Sequence, residues 1–314
     1  EHLNSDILPS LPISHQVYTI PKRLRAFFRF DRKLYKHLYQ AAWRAWADLI
    51  EDEFPGCQSG AVMALHSAGD LLNFHPHIHA IMLHGAADQG GAWQRLNSIQ
   101  LEFLTRQFQH YVLEALLQAG LIDQDTVDNM LSWEHSGFHV FVGEPIGPQD
   151  PETRLFIARY LKKSPISLKR LELIDTGSQP IVRYHSAKNA AEYRDFEPLD
   201  FLALLSCYIP DTFEQTTRYF GTLSARTRGA KRIAYAACHP VQIEPKPKPS
   251  RSWAQCMKKI FEIDPLTCPK CSGKMIIRAF ITDSSEIQRL TTHLGIIPWR
   301  APPPFKHRSF DIAA

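Results

Sequence analysis

Residues 73–83 read Asn-Phe-His-Pro-His-Ile-His-Ala-Ile-Met-Leu, a stretch whose residue types could hold a metal. From Pro76 to Leu83 the apolar run predicts a strand, and successive side chains of a strand point to opposite faces. His77 and His79 then share one face and Ile78 takes the other. Two neutral imidazoles at i and i+2 can each give one ring nitrogen to a single divalent metal. Upstream, residues 61–66 form a second strand-like run, ended by the turn signal Ser67-Ala68-Gly69-Asp70. A hairpin between the two runs brings His66 beside the pair as a third ligand, with Asp70 or a glutamine elsewhere as the substitute donor. With 15 His in the chain, one His-apolar-His triplet arises readily by chance. The apolar flanks, His75 at the strand's start and His66 upstream favour the metal.

A nucleophile stands on a well-marked helix. Asp150-Pro151-Glu152 gives an N-cap acid, a proline at the first helical position and an acid in the first turn. Ser164-Pro165 halts the helix near Lys163. Phe156 and Tyr160 lie four apart and share a face, with Arg159, Lys162 and Lys163 around them. A phenol is a weak nucleophile at its free pKa of about 10. A metal and cationic side chains nearby would stabilise the charge it carries on attack. One helix tyrosine among ten is ordinarily a packing residue, and the cationic setting is what distinguishes Tyr160.

The elements that must position these groups follow from pattern. Strands are predicted over residues 13–20, 61–66, 76–83 and 137–142. Residues 171–174 and 181–185 read as a hairpin. Helices are predicted over 32–50, with Asp31 as N-cap and Leu34, Leu38, Ala41, Ala45 and Leu49 as apolar stripe, then over 98–119, 124–133, 151–163 and 199–207. The basic cluster after Pro21 is read as a break, and residues 84–94 as a Gly-rich turn. The fold class is α+β, with an antiparallel sheet carrying the histidines and helices flanking it.

The chain has 314 residues and is 44% hydrophobic, enough for one large domain and a small one. A net charge of +4 says little by itself, so its local distribution matters more. From Arg218 to Lys259 ten Lys and Arg face one acid, Glu244, with Tyr219, Phe220, Tyr235 and Trp253 interleaved. Such a mixture suits a nucleic-acid strand, charge for phosphates and rings for bases, although a solvated basic face reads the same way. Arg218, Arg226, Arg228, Lys231 and Arg232 are the expected strand contacts, beside Arg159, Lys162 and Lys163. Glu244-Pro245-Lys246-Pro247-Lys248-Pro249 is linker-like. The domains expected are therefore 1–243, the linker 244–249, and a small module 250–314.

That module holds Cys268-Pro269-Lys270-Cys271, half of a zinc site, since a structural zinc takes four ligands. Cys256 and His293 are the candidate completions, and two buried thiols are the alternative. Six Cys in a chain of this length are not a disulfide framework, and Cys57, Cys207, Cys238 and Cys256 are scattered. No apolar run reaches membrane-spanning length and no secretory pattern opens the sequence, so a cytoplasmic location with no membrane partner is expected. No internal repeat or G-x-x-x-x-G-K loop is present.

Four stretches carry a resemblance. They are Leu65-His66 with Phe74-His75-Pro76-His77-Ile78-His79, Phe156-Ile157-Ala158-Arg159-Tyr160-Leu161-Lys162-Lys163, Arg218-Tyr219-Phe220-Gly221, and Asp264-Pro265-Leu266-Thr267-Cys268-Pro269-Lys270-Cys271. Together they resemble the rolling-circle insertion-sequence transposases of the HUH class, over nearly the whole chain. The resemblance implies an antiparallel sheet bearing the histidine pair, a nucleophilic tyrosine on a helix facing it, Mg or Mn, and single-stranded DNA at transposon ends and target. Many members carry Tyr-x-x-x-Tyr, whereas Phe156 stands first here, so the chain resembles the single-tyrosine branch. Members usually begin with a cysteine-rich zinc-binding segment, which is absent, and residues 8–25 resemble the region just after it.

The reading is a DNA transposase that nicks and rejoins single strands through a 5′-phosphotyrosine. The alternative is a truncated, non-catalytic DNA-binding remnant. A metal-dependent hydrolase that uses water is a third reading and needs no Tyr160.

Overall fold

The computed structural model describes residues 3, 7–175, 177, 179–189, 191–212, 214–230, 264, 266–268, 270–276, 281 and 283–295. Lys231, Arg232, Cys256 and the linker 244–249 lie outside them. The chain divides into two units, Glu1–His239 and Pro240–Ala314.

In the first unit the strands are β1 Ile13–Thr19, β2 Gly60–Ala68, β3 Phe74–Leu83, β4 Gly85–Ala87, β5 Trp93–Arg95, β6 His139–Val142, β7 Leu171–Ile174, β8 Ile181–His185, β9 Tyr193–Phe196 and β10 Thr217–Gly221. The helices are α1 Lys22–Phe30, α2 Tyr35–Glu53, α3 Leu101–Gln118, α4 Gln124–Leu131, α5 Pro151–Tyr160 and α6 Pro198–Tyr208. Five strands make an antiparallel sheet in the order β10-β2-β3-β1-β6. The α+β class with an antiparallel sheet and flanking helices is therefore present.

Both faces of this sheet are covered, so its central strand is apolar on both sides. Ala61, Met63, Ile78, Ala80, Met82 and Tyr18 pack against Leu38, Trp46 and Leu49 of α2 and Phe108 and Leu113 of α3. Each large side chain fully buried there contributes roughly 1.5–3 kcal/mol. The α2 stripe expected from spacing, Leu38, Ala41, Ala45 and Leu49, is buried. On the opposite face Val62, Ala64, Ile81, Leu83 and Ile13 pack against Ala158 and Leu161, from α5 and the residue after it, and against Leu3, Ile7 and Leu8. The histidines of β3 belong to this second face.

Helix α5 begins as expected, with the Asp150 carboxylate accepting from the Thr153 N–H at 3.0 Å. Its seat is fixed by Arg154, a buried side chain that donates to the carbonyls of Pro9 and Leu11, each at 2.7 Å. A smaller sheet, β7-β8-β9, packs Val182, Tyr184 and Phe196 against Leu72, Phe201 and Tyr208.

Several boundaries differ from the sequence expectation. The segment after Pro21 is no break: Pro21 precedes α1, and Leu24 and Phe28, one turn apart, are buried. Proline is well suited to a helix start, and the basic residues form the helix's outer side. Asp31 therefore caps a 3-10 turn at Arg32–Leu34 before α2 opens at Tyr35. Strand β3 starts at Phe74 rather than Pro76, and α3 at Leu101 rather than near Ser98. Within 84–94 two short strands, β4 and β5, begin to pair with each other. Strands β9 and β10 lacked an alternation strong enough to mark them. No helix among the described residues is long and apolar enough to cross a membrane.

Candidate active site

Strand parity puts His77 and His79 on one face, and register adds His66. In the β2–β3 pair His66 lies directly opposite His77, and Ala64 opposite His79, so the three imidazoles project together. A register shift follows between His66 and Ala68. One ring nitrogen from each of His66, His77 and His79 lies within 4.8 Å of the others.

Each ring also has an outer partner. His77 Nδ1 donates to the His75 carbonyl at 2.6 Å, and His66 Nε2 donates to the Leu161 carbonyl at 3.1 Å. His79 Nδ1 lies 3.0 Å from His15 Nε2. This leaves His77 Nε2, His79 Nε2 and His66 Nδ1 to converge, the pattern in which ligating histidines are held by a second hydrogen bond. The two Nε2 atoms are 3.1 Å apart. Nitrogens on adjacent corners of an octahedron of roughly 2.1 Å bonds stand roughly 3 Å apart, so the spacing fits a divalent cation. Burial, with the neighbouring His66, pushes His79 down to about 2. Burial likewise pushes His77 down to about 3 and His75 to about 4. His66 is lowered for the same first reason. The rings are therefore neutral at pH 7, as metal ligation requires.

Tyr160 is the last residue of α5 and stands over this group. Its ring is edge-on to His79, with centroids 5.1 Å apart, and 6.3 Å from His66. Lys163 Nζ lies 5.2 Å from the centre of the Tyr160 ring. The helix stops three residues short of the expected Lys163, because the Lys162 and Lys163 N–H groups bond the Arg159 and Tyr160 carbonyls in a tight turn. His66, His77, His79, Tyr160, Lys162 and Lys163 line one cleft of about 900 Å³. Arg159 is exposed beside it. Phe156, at 65% exposure, sits 6.3 Å from Tyr160, on the shared face its spacing implied.

Other expectations fall elsewhere. Asp70 is no substitute ligand: its carboxylate is taken up by Arg170 at 2.7 Å, the Ala187 N–H at 3.0 Å and the Ser186 hydroxyl. Those bonds tie the β2–β3 turn to the small sheet. Arg218 lies opposite Met63, on the helical side of the sheet, and stacks over Tyr39 at 4.8 Å, away from the histidines. Arg228 donates to the Leu223 carbonyl at 2.9 Å and lies over Tyr219, while Arg226 is exposed. Cys268 and Cys271 occupy a tight turn closed by the Thr267–Lys274 bridge. Cys271 is exposed, so a pair of buried thiols is not what the turn holds. Among the described residues neither His293 nor another His, Cys, Asp or Glu joins them in a group of three.

Three residues of the site escaped the sequence reading: His15, Arg154 and Arg170. His15 sits in a run of alternating polar and apolar residues. Only the pairing of β1 with β3, which the sequence does not mark, brings it to His79.

An antiparallel sheet with three convergent imidazoles and a helix-borne tyrosine defines a site suited to cation-assisted chemistry. Residues 60–231, which contain all four of these side chains, match the family model Y2_Tnp, described as "Putative transposase", and the chain belongs to that family. It is 28% identical over 292 residues to the transposase for insertion sequence element IS801 of Pseudomonas savastanoi pv. phaseolicola. That alignment spans 88% of this chain and 69% of the relative. A solved structure, the conjugative relaxase TrwC in complex with mutant OriT DNA, aligns over 70% of this chain and 71% of its own. Its identity is 14% and its TM-score 0.26, too low to establish a shared fold.

Proposed function

We propose that this transposase nicks and rejoins single-stranded DNA through Tyr160, in a rolling-circle mode, with a divalent cation held by His66, His77 and His79. The observation that carries the reading is the Tyr160 ring set 5.1 Å from that of His79, above the convergent nitrogens. A cation there would polarise a phosphoryl oxygen and offset charge as phosphorus is attacked. Mg and Mn are the candidates, and imidazole donors favour Mn over the harder, oxygen-seeking Mg.

The chain's own groups do the rest. The Tyr160 hydroxyl oxygen attacks the scissile phosphorus, and the bond from phosphorus to the 3′ oxygen breaks. The products are a 5′-phosphotyrosine and a free 3′-hydroxyl. The phenol gives up one proton and the departing oxygen gains one, so the step is balanced. One phosphodiester replaces another, so the reverse reaction joins strands without an external energy source. Lys163 and Lys162 stand where they pair with phosphate oxygens, and Arg159 adds positive charge alongside. Phe156 has no hydroxyl, so one tyrosine serves the site.

The experiment is a covalent trapping assay. Labelled single-stranded DNA is incubated with the protein and Mn or Mg, then run on a denaturing gel. A cation-dependent protein–DNA adduct is expected, and mass spectrometry should map it to Tyr160. Cleavage without an adduct would point to water as nucleophile, and binding without cleavage to a DNA-binding remnant.

A further inference from the structure

Of the three imidazoles that converge, two have their outer nitrogen fixed by a backbone carbonyl, which can only accept. His77 donates to His75, and His66 donates to Leu161. The third is different. The outer partner of His79 is a side chain, His15, whose ring nitrogen can either accept or donate.

The contact is a hydrogen bond and not a stack. The rings are parallel to within 3°, with centroids 5.2 Å apart, but the nitrogens approach to 3.0 Å. That is closer than the roughly 3.5 Å at which stacked faces touch. Two imidazoles lying nearly in one plane and joined nitrogen to nitrogen give this geometry. His15 comes from β1, where Val17 is the partner of His79, so the two side chains share the sheet face on a diagonal. The ring of Tyr160 is edge-on to His15, with centroids 5.8 Å apart.

Two neutral tautomer arrangements satisfy these distances. In one, His15 Nε2–H donates to His79 Nδ1, and His79 Nε2–H donates to His77 Nε2 at 3.1 Å. The three rings are then linked in a row and His79 has no lone pair to offer a cation. In the other, His79 Nδ1–H donates to His15, and the Nε2 atoms of His77 and His79 face each other bare. That is repulsive unless a positive charge lies between them. Changing from one to the other moves a proton from one nitrogen to the other within His79 and within His15, with no net gain or loss. Only the second arrangement is competent to bind a cation.

We propose that His15 is a positioning residue that sets the tautomer of His79 and thereby the cation affinity of the site. This rests on the cation site assigned above. A permanent acceptor at position 15 would favour the binding arrangement, whereas an apolar ring would abolish the choice. His15 precedes residues 60–231, so it lies outside the part of the chain that the family model matches.

The test is Mn(II) titration followed by electron paramagnetic resonance on the full chain, without DNA, for the wild type, His15→Phe and His15→Glu. Circular dichroism checks that each is folded. His15→Phe should weaken Mn(II) binding by about 10–100-fold, the range for lost outer hydrogen bonds to ligands. His15→Glu, whose carboxylate reaches about as far as the imidazole Nε2, should restore wild-type affinity or exceed it. Unchanged affinity in His15→Phe overturns the proposal, and so does equal weakening in the two folded variants, which would mark a packing role. If neither variant is folded, His15→Gln, whose amide oxygen accepts at about the reach of the imidazole Nε2, must bind Mn(II) more tightly than His15→Asn, whose shorter arm falls short; equal affinity or the reverse order overturns the proposal. A wild type that binds no Mn(II) overturns both this and the cation site on which it rests.

Discussion

His66 and His77 are direct cross-strand partners in the β2–β3 ladder, with ring centroids 5.6 Å apart. The candidate cation site is thus written into a strand register. A slip of one residue would send His66 to the helical face, among Leu65's neighbours. His66→Ala and His77→Ala should each cut Mn(II) affinity severely and remove the DNA adduct. Calorimetric titration with Mn(II) checks this, and full binding by His77→Ala would refute the ligand set.

Tyr160→Phe deletes one hydroxyl and keeps the ring against His79. Folding and single-strand binding should stay within a factor of about two, or ~0.4 kcal/mol by the usual conversion. The covalent adduct should disappear. An adduct retained in this variant, mapped to Tyr184 or Tyr219, would move the nucleophile elsewhere.

Lys163 lines the cleft beside Tyr160, whereas Arg218 stacks on Tyr39 behind the sheet. Lys163→Ala should therefore weaken single-strand binding more than Arg218→Ala does. It should also lower the slope of log affinity against log salt by about 0.7, as expected for one lost phosphate contact on a single strand. Fluorescence anisotropy across a salt series reads both effects. Equal losses would return Arg218 to the DNA-binding surface.

Acid should destabilise the metal-free protein. Burial holds His75, His77 and His79 at about 4, 3 and 2 in the folded chain, below the ordinary histidine value of 6.5. Between those limits the unfolded chain binds more protons, so stability rises with pH there and is fully present above about 6.5. Urea unfolding in EDTA should show falling stability from pH 7 to 5. The loss should approach ~1.4 kcal/mol per pH unit for each imidazole at most. His77→Gln should flatten the curve, and an unchanged slope would contradict the assignment.

Arg154 has a structural task, since its guanidinium satisfies the Pro9 and Leu11 carbonyls and holds α5 to the segment that leads into β1. Arg154→Ala leaves two carbonyls unpaired in a buried place. A loss of about 2–4 kcal/mol in unfolding free energy is expected, measured by urea denaturation.

Much of this site is legible in local pattern. The parity of His77 and His79, the Asp150-Pro151 helix start and the four-residue step from Phe156 to Tyr160 all follow from spacing, and each has its counterpart in the structure. What is not legible depends on distant pairing. His15 meets His79 because β1 lies beside β3, and no turn signal joins strands so far apart in sequence. Arg154 reads as one more charge on an exposed helix until the lead-in chain is laid over it. The opposite case is Arg218, where a basic-aromatic run looks like a binding track and the side chain lies over Tyr39. A strand sends alternate residues to opposite faces, and so turns this arginine away.

Tyr160 is followed directly by Leu161, whose carbonyl accepts the outer N–H of His66. The proposed nucleophile and one imidazole of the candidate cation site are therefore joined by a single hydrogen bond next to a single peptide link. Ligands bound at two sites connected in this way would be coupled, and any such coupling is reciprocal. On the proposed mechanism, a cation that orders His66 would steady the end of α5, and DNA attached to Tyr160 would in turn change how tightly the cation is held. Slower cation release from the covalent intermediate than from the free protein would give this transposase an intrinsic timer, keeping the site loaded until the strands are rejoined.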